Sequence, residues 1–259
     1  MGRKLLFASI AVLMATSAFA SSTDQTQIII PQDPYTWEGQ EPSNVLLIQD
    51  QLGWGYDSHV MILNTAGVPY DVINSGQIVS WDFSQYDKII TVGDQPDNYY
   101  FAIEDNLPKF EDYMTTGGCC SFETSNSYQG AGNEQIVWPG GFQAVFSTDN
   151  VINIDDQSSC LMNGVAWDEL QNWSWSSHGS FTYLPGAYVS VLSMSDGRTC
   201  AGFFPFGDGG AFISHQPLEW GYGWGYSVAY PTNFDLCECC APPTPTEKTS
   251  WGTVKGLYQ

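Results

Sequence analysis

The apolar and polar positions of the chain fall into two regimes. In the first, short continuous apolar runs alternate with helical spacings. Val45-Leu46-Leu47-Ile48-Gln49-Asp50 is an apolar run closed by an acid, the pattern of a strand buried on both faces. From Asp57 to Ala66, Val60, Met61 and Leu63 recur at helical spacing, and Gly67 supplies a stop. Val68–Ile73 predicts a second strand and Tyr86–Val92 a third, closed by Gly93-Asp94. Asn98 to Thr115 predicts a helix interrupted by Pro108, ended by Gly117-Gly118 and followed by a fourth strand, Cys119–Thr124. Strands and helices in this order predict a parallel sheet with helices on both faces.

The second regime is irregular and rich in Gly, Trp and Ser. Its clear strands are Tyr188–Met194, Thr199–Phe204 and Ala211–Ser214, with Ser195-Asp196-Gly197-Arg198 as a hairpin turn between the first two. Residues 125–185 give only a short strand near Val151–Ile154.

The ends differ from this body. Arg3 and Lys4 precede an apolar run from Leu5 to about Ala15, and Ala18 and Ala20 make an A-x-A cleavage site before Ser21. That is the pattern of an export signal over residues 1–20, too short to span a bilayer. Residues 21–42 predict an extended lead-in, 43–240 the folded body, and 241–259 a Pro-rich linker with a tail that resembles sorting signals of exported bacterial proteins. The expected location is secreted, periplasmic or cell-surface, and no segment after the signal is long and apolar enough to be membrane-spanning.

Charge narrows the partners. Beyond residue 20 the chain holds five Lys and Arg against 28 Asp and Glu, a formal charge of −23 by difference. Such a surface repels nucleic acid and anionic lipid. Seven cysteines, at 119, 120, 160, 200, 237, 239 and 240, fit an oxidising compartment. Cys160 with Cys200 is the expected bridge, because each stands alone in its neighbourhood, and a disulfide knot is expected at 237–240. No histidine pair matches those cysteines at zinc spacing, and the acids near 155 and 208 do not follow a calcium loop, so neither a metal nor a cofactor is expected.

The order of these elements resembles the class I glutamine amidotransferase-like fold, a flavodoxin-like α/β domain, over residues 43–226. The resemblance rests on Val45–Asp50, on Gly67-Val68-Pro69-Tyr70-Asp71-Val72, and on Tyr86-Asp87-Lys88-Ile89-Ile90. It continues through the helix running into Gly117-Gly118 and closes with Ala211–Trp220. It implies a mainly parallel sheet with helices on both faces. It also implies a nucleophilic cysteine on the turn after the fourth strand, assisted by a later histidine and acid. Counting from Gly118 places that turn at Glu123 or Thr124, and neither is cysteine. Cys119 and Cys120 fall at the start of the strand, as small apolar residues. His215 and Glu219 stand where the family's histidine and acid are expected, at a looser spacing than His-x-Glu.

Ligands of such sheets bind beyond the carboxyl ends of the strands. Asp50, the Gly53-Trp54-Gly55-Tyr56 loop, Asp94, Glu123 and His215 are all expected there, with Glu219 and a second Gly223-Trp224-Gly225-Tyr226 following. Asp50, Trp54, Tyr56, Asp94 and Trp224 are the candidate ligand-binding residues, for a small molecule or carbohydrate whose rings would stack on the aromatics. The same aromatics could equally pack as lids of a Trp-rich domain. Glu123, His215 and Glu219 are the candidate catalytic residues. Two functions follow: a non-catalytic binding or structural module, or an extracellular hydrolase with Glu123 as base and His215 as acid.

Overall fold

The computed structural model describes residues 42–171 and 173–237. The expected export signal, most of the lead-in, the tail, and Cys239 and Cys240 lie outside them. β1 (Val45–Ile48), β3 (Lys88–Thr91) and β4 (Cys119–Glu123) are buried at every position, as their continuous apolar runs require. With β2 (Tyr70–Ile73) and β10 (Gly209–Ser214) they form the parallel part of an eight-stranded sheet. Its order is β2-β1-β3-β4-β10-β9-β8-β6. β6 (Ile152–Ile154), β8 (Val189–Met194) and β9 (Thr199–Phe206) add antiparallel strands beyond β10. The mixed α/β fold with a mainly parallel sheet is therefore as the sequence predicts.

Alternate side chains of the strands feed two cores. Leu46, Ile48, Ile89 and Phe122 pack with Tyr99, Tyr100 and Ile103 of α2 (Asp97–Asp105) and with Phe110 and Met114 of α3 (Leu107–Thr115). The expected long helix is two, parted at Asn106. Pro108 suits the first turn of α3, where its missing N–H is no loss. On the other face Val45, Leu47 and Ile90 meet Ile62 and Leu63 of α1 (Ser58–Ala66). Helices thus cover both faces.

Besides the expected strand near 151–154, which is β6, residues 125–185 hold the short α4 (Gly132–Gln135) and a separate antiparallel pair. That pair is β5 (Gln143–Asp149) with β7 (Ser177–Thr182). Trp138, fully buried, stacks on Phe142 with ring centroids 5.8 Å apart and ties this region to the first core. Each such aromatic pair contributes roughly 0.5–1.5 kcal/mol beyond its buried area. After β10 come α5 (Leu218–Trp224) and α6 (Ala229–Leu236), both missed in the sequence. Cys200 is a buried free thiol, so the expected Cys160–Cys200 bridge does not form. β9 places Cys200 inside the second-half core beside Ala201 and Phe212, where it packs as a small apolar side chain.

Candidate functional site

α1, β4, α5 and α6 converge on one imidazole. His59, in the first turn of α1, is 2 % exposed. Its Nδ1 lies 2.8 Å from Oδ1 of Asp235 on α6. Its Nε2 lies 3.2 Å from Oε2 of Glu123, at the end of β4, and 3.2 Å from Oε1 of Glu219, in the first turn of α5. All three acids are buried. A carboxylate only accepts, so Asp235 fixes the proton on Nδ1 and aims Nε2 at the two glutamates. Burial alone lowers the affinity of His59 for a second proton, but the charges of Asp235 and Glu219 outweigh it and hold its pKa well above the usual value. Burial, and then the charge of Glu219, holds the Glu123 carboxyl well above the usual carboxylate range.

The backbone completes the enclosure. Glu123 Oε1 accepts from the Leu218 amide at 3.0 Å and from Ser125 Oγ at 2.9 Å. Glu219 Oε1 accepts from the Gly93 amide at 3.2 Å, while Oε2 of the same residue is buried without a partner. The loop after β1 crosses directly over this acid. A Cβ on Gly53 would collide with the carboxyl of Glu219 and with Val92, so a larger residue there would have to displace the acid. His59, Glu123 and Glu219 each offer a donor atom within 4.8 Å of the others, a set able to hold a metal ion.

The predicted site residues separate into three groups. Glu123 and Glu219 meet at His59. Asp50, Asp94, Trp54 and Tyr56 line loops nearby but serve the backbone and the packing. Asp50 accepts from the Ser75 amide at 2.6 Å and hydroxyl at 2.7 Å, and Asp94 accepts from the Ser127 amide at 3.1 Å. Trp54 donates to Ser125 Oγ at 3.3 Å and sets its ring edge-on to His178, 4.5 Å between centroids. Tyr56 lies against the backbone at Gly223, where a Cβ would fall 2.4 Å from its ring. The two Gly-Trp-Gly-Tyr copies therefore touch, with different conformations: Trp54 is left-handed at φ 53°, and Trp224 ends α5 and is exposed. A surface cleft of about 440 Å³ lies elsewhere, at the amino ends of β3 and β4 near Tyr86, Asp87 and Gly117, and holds none of these acids.

His215 stands apart from the cluster. It is fully buried, its ring is stacked on Phe181 at 5.5 Å, and neither ring nitrogen has a hydrogen-bond partner, Glu123 and Glu219 included. Burial lowers its pKa to about 3, and that of the neighbouring His178 to about 4. Both stay neutral when folded and charge when unfolded, the unfolded value being about 6.5. Their contribution to stability is complete above that value and is lost as pH falls towards 4 and then 3. We expect His215→Leu to stabilise the protein by about 1–3 kcal/mol at pH 7.5, since it removes an unpaired buried polar ring. It should also remove on the order of 2 kcal/mol of the stability lost between pH 7.5 and 5. Urea titrations at the two pH values measure both. A destabilised variant with unchanged acid sensitivity would show that the ring has polar partners.

The sequence reading missed His59 and Asp235. The apolar spacing of α1 points to Val60, Met61 and Leu63, whereas the buried positions are Ser58, His59, Ile62 and Leu63. A histidine on that stripe was the available signal.

No known family model matches the chain. An uncharacterized protein of Clostridium acetobutylicum is 26 % identical over 187 residues, which are 70 % of this chain and 19 % of that protein. The chain therefore spans less than a fifth of that relative's length. A cytoplasmic protein from Salmonella typhimurium has a TM-score of 0.53 at 12 % identity, over 74 % of this chain and 96 % of its own. That likeness concerns the fold alone. A glutamine amidotransferase from Thermotoga maritima is also among the similar structures, with TM-score 0.46 and 10 % identity over 68 % of this chain and 76 % of its own, too distant to argue from. The class defined is an α/β protein of doubly wound type. The particular feature of this chain is its His59-centred acid cluster.

Proposed function

We propose that this chain is an exported, glutamine amidotransferase-like module that lacks the nucleophilic cysteine and works by binding a carbohydrate or a cell-surface partner. One observation carries the reading. At the end of β4, where that family's nucleophile is expected, stands Glu123, whose carboxylate is buried and held by His59, Ser125 and Leu218. The thiols also support it. Cys120, Cys200 and Cys237 are buried, and burial pushes Cys120 far up and the other two up to about 12, whereas a nucleophile needs an accessible, low-pKa thiol. The hydrolase reading loses its base–acid pair, because His215 does not reach Glu123. Trp224 and Tyr226, exposed beside the stacked Trp220 and Trp173, offer flat faces for a sugar.

The test has two arms on the purified native protein. Iodoacetamide should label none of these three thiols rapidly, and glutamine should release no glutamate. Pull-down on a panel of insoluble polysaccharides should retain the wild type and lose about tenfold with Trp224→Ala, a stacking loss of order 1–2 kcal/mol. Rapid labelling with glutamate release would restore a cysteine nucleophile, and equal behaviour of Trp224→Ala would remove this face from the binding surface.

A further inference from the structure

We infer that His59, Glu123 and Glu219 form a binding site for one divalent transition-metal ion of the zinc type, with Asp235 as the residue that orients the histidine. The first argument is distance. Ligands of a tetrahedral ion at about 2.0–2.1 Å from the metal stand roughly 3.3–3.4 Å from one another. His59 Nε2 is 3.2 Å from an oxygen of each glutamate, which is the separation of donors that share an ion.

The second argument is an unspent donor. Glu219 is 1 % exposed, and its Oε2 has no hydrogen-bond partner. A buried carboxylate oxygen with nothing to accept from is costly, and a cation bound at the cluster gives it a partner. Charge is the third argument. Three buried acids converge on a single imidazole, so one ring cannot balance them when all three are ionised. Lys88 and Lys109, the described lysines, bond to backbone carbonyls of Phe234, Cys237, Ile78 and Trp81, and Arg198 pairs with Asp196.

The fourth argument is the outer partner. Ligating histidines characteristically give their other N–H to a carboxylate, which fixes the tautomer and raises ligand basicity. Asp235 does this for Nδ1 at 2.8 Å. Mixed imidazole and carboxylate donors suit zinc and its neighbours better than calcium or magnesium, which take oxygen donors alone. Three protein donors leave one place of a four-coordinate ion for water. The inference goes beyond the binding-module reading and stands whether or not that reading holds.

The experiment uses the purified mature chain, stripped with a chelator and dialysed against Zn²⁺ and, separately, Co²⁺. One ion per chain is expected, with visible absorption bands for the cobalt form and a melting temperature raised by several degrees at excess metal. Glu219→Gln keeps the shape and should weaken binding at least tenfold. Asp235→Asn should weaken it by about tenfold and shift the cobalt bands while all three donors remain. Each variant is melted without metal first; if Glu219→Gln is unfolded, Asp235→Asn and the wild-type stoichiometry decide. Absence of a retained ion in the wild type would overturn the assignment. So would equal affinity in the wild type and a folded variant, because the metal would then sit on surface acids.

Discussion

His59→Leu should lower the melting temperature of the metal-free protein by roughly 6–20 °C, more than Glu219→Gln or Lys88→Met. The variant leaves Asp235, Glu123 and Glu219 buried around an apolar side chain. Removing one partner of a buried ionic group costs about 3–5 kcal/mol, because the remaining charges keep their desolvation penalty and lose their compensation. For a domain of this size each kcal/mol moves the midpoint by about 2–4 °C. Adding Asp235→Leu to His59→Leu should return part of the loss, since it removes one of the stranded charges. Thermal melts followed by circular dichroism measure both. A shift below about 3 °C for His59→Leu, under 2 kcal/mol on the same scale, would mean that the acids are neutral or hydrated, and that the imidazole is not their counter-charge.

The second large effect is expected at Lys88. This residue opens β3 and is fully buried, with Nζ donating to the carbonyls of Phe234 at 2.5 Å and Cys237 at 3.0 Å. An ammonium at the last turn of a helix bonds its end carbonyls and complements its dipole. Here the helix is α6, which carries Asp235. Lys88→Met keeps the packing of the stem and strips both carbonyls of a charged donor, a loss of about 2–3 kcal/mol. The midpoint should fall by roughly 4–12 °C. Amide hydrogen exchange should quicken in α6 while β1 keeps its protection. Unchanged exchange in α6 would show that its end is held by other contacts.

The parallel half of the fold was legible because its signal is local. β1, β3 and β4 are short apolar runs, and burial on two faces demands that composition. β7 shows why the other half was not. It is buried over Ser177–Phe181, yet it reads Ser-His-Gly-Ser-Phe, with no alternation to detect. Its polar groups are answered by groups far away in the chain: His178 meets the Asn126 carbonyl at 2.9 Å. α6 is hidden for a related reason: it reads Ala-Tyr-Pro-Thr-Asn-Phe-Asp-Leu, and its buried face mixes Asn233 and Asp235 with Tyr230, Phe234 and Leu236.

The site was half legible. Glu123 and Glu219 follow from strand ends and from the resemblance. His215 and His59 are both buried histidines in the same chain, and nothing local distinguishes them. What separates them is who faces the ring: aromatic Phe181 for one, three acids for the other.

The span of the His59–Asp235 contact sets an order of events. The two residues are 176 positions apart, and the carbonyls that Lys88 bonds lie 146 and 149 positions beyond it. A chain emerging from its N-terminus can pair β1, β2, β3 and β4 early, but the face of that sheet under α1 stays unfinished until α6 arrives. Closing so long a loop costs entropy before any contact repays it. During synthesis the acid cluster is therefore a late seal, and a nascent chain that stops short of residue 229 holds His59 without Asp235, the acid that orients its ring.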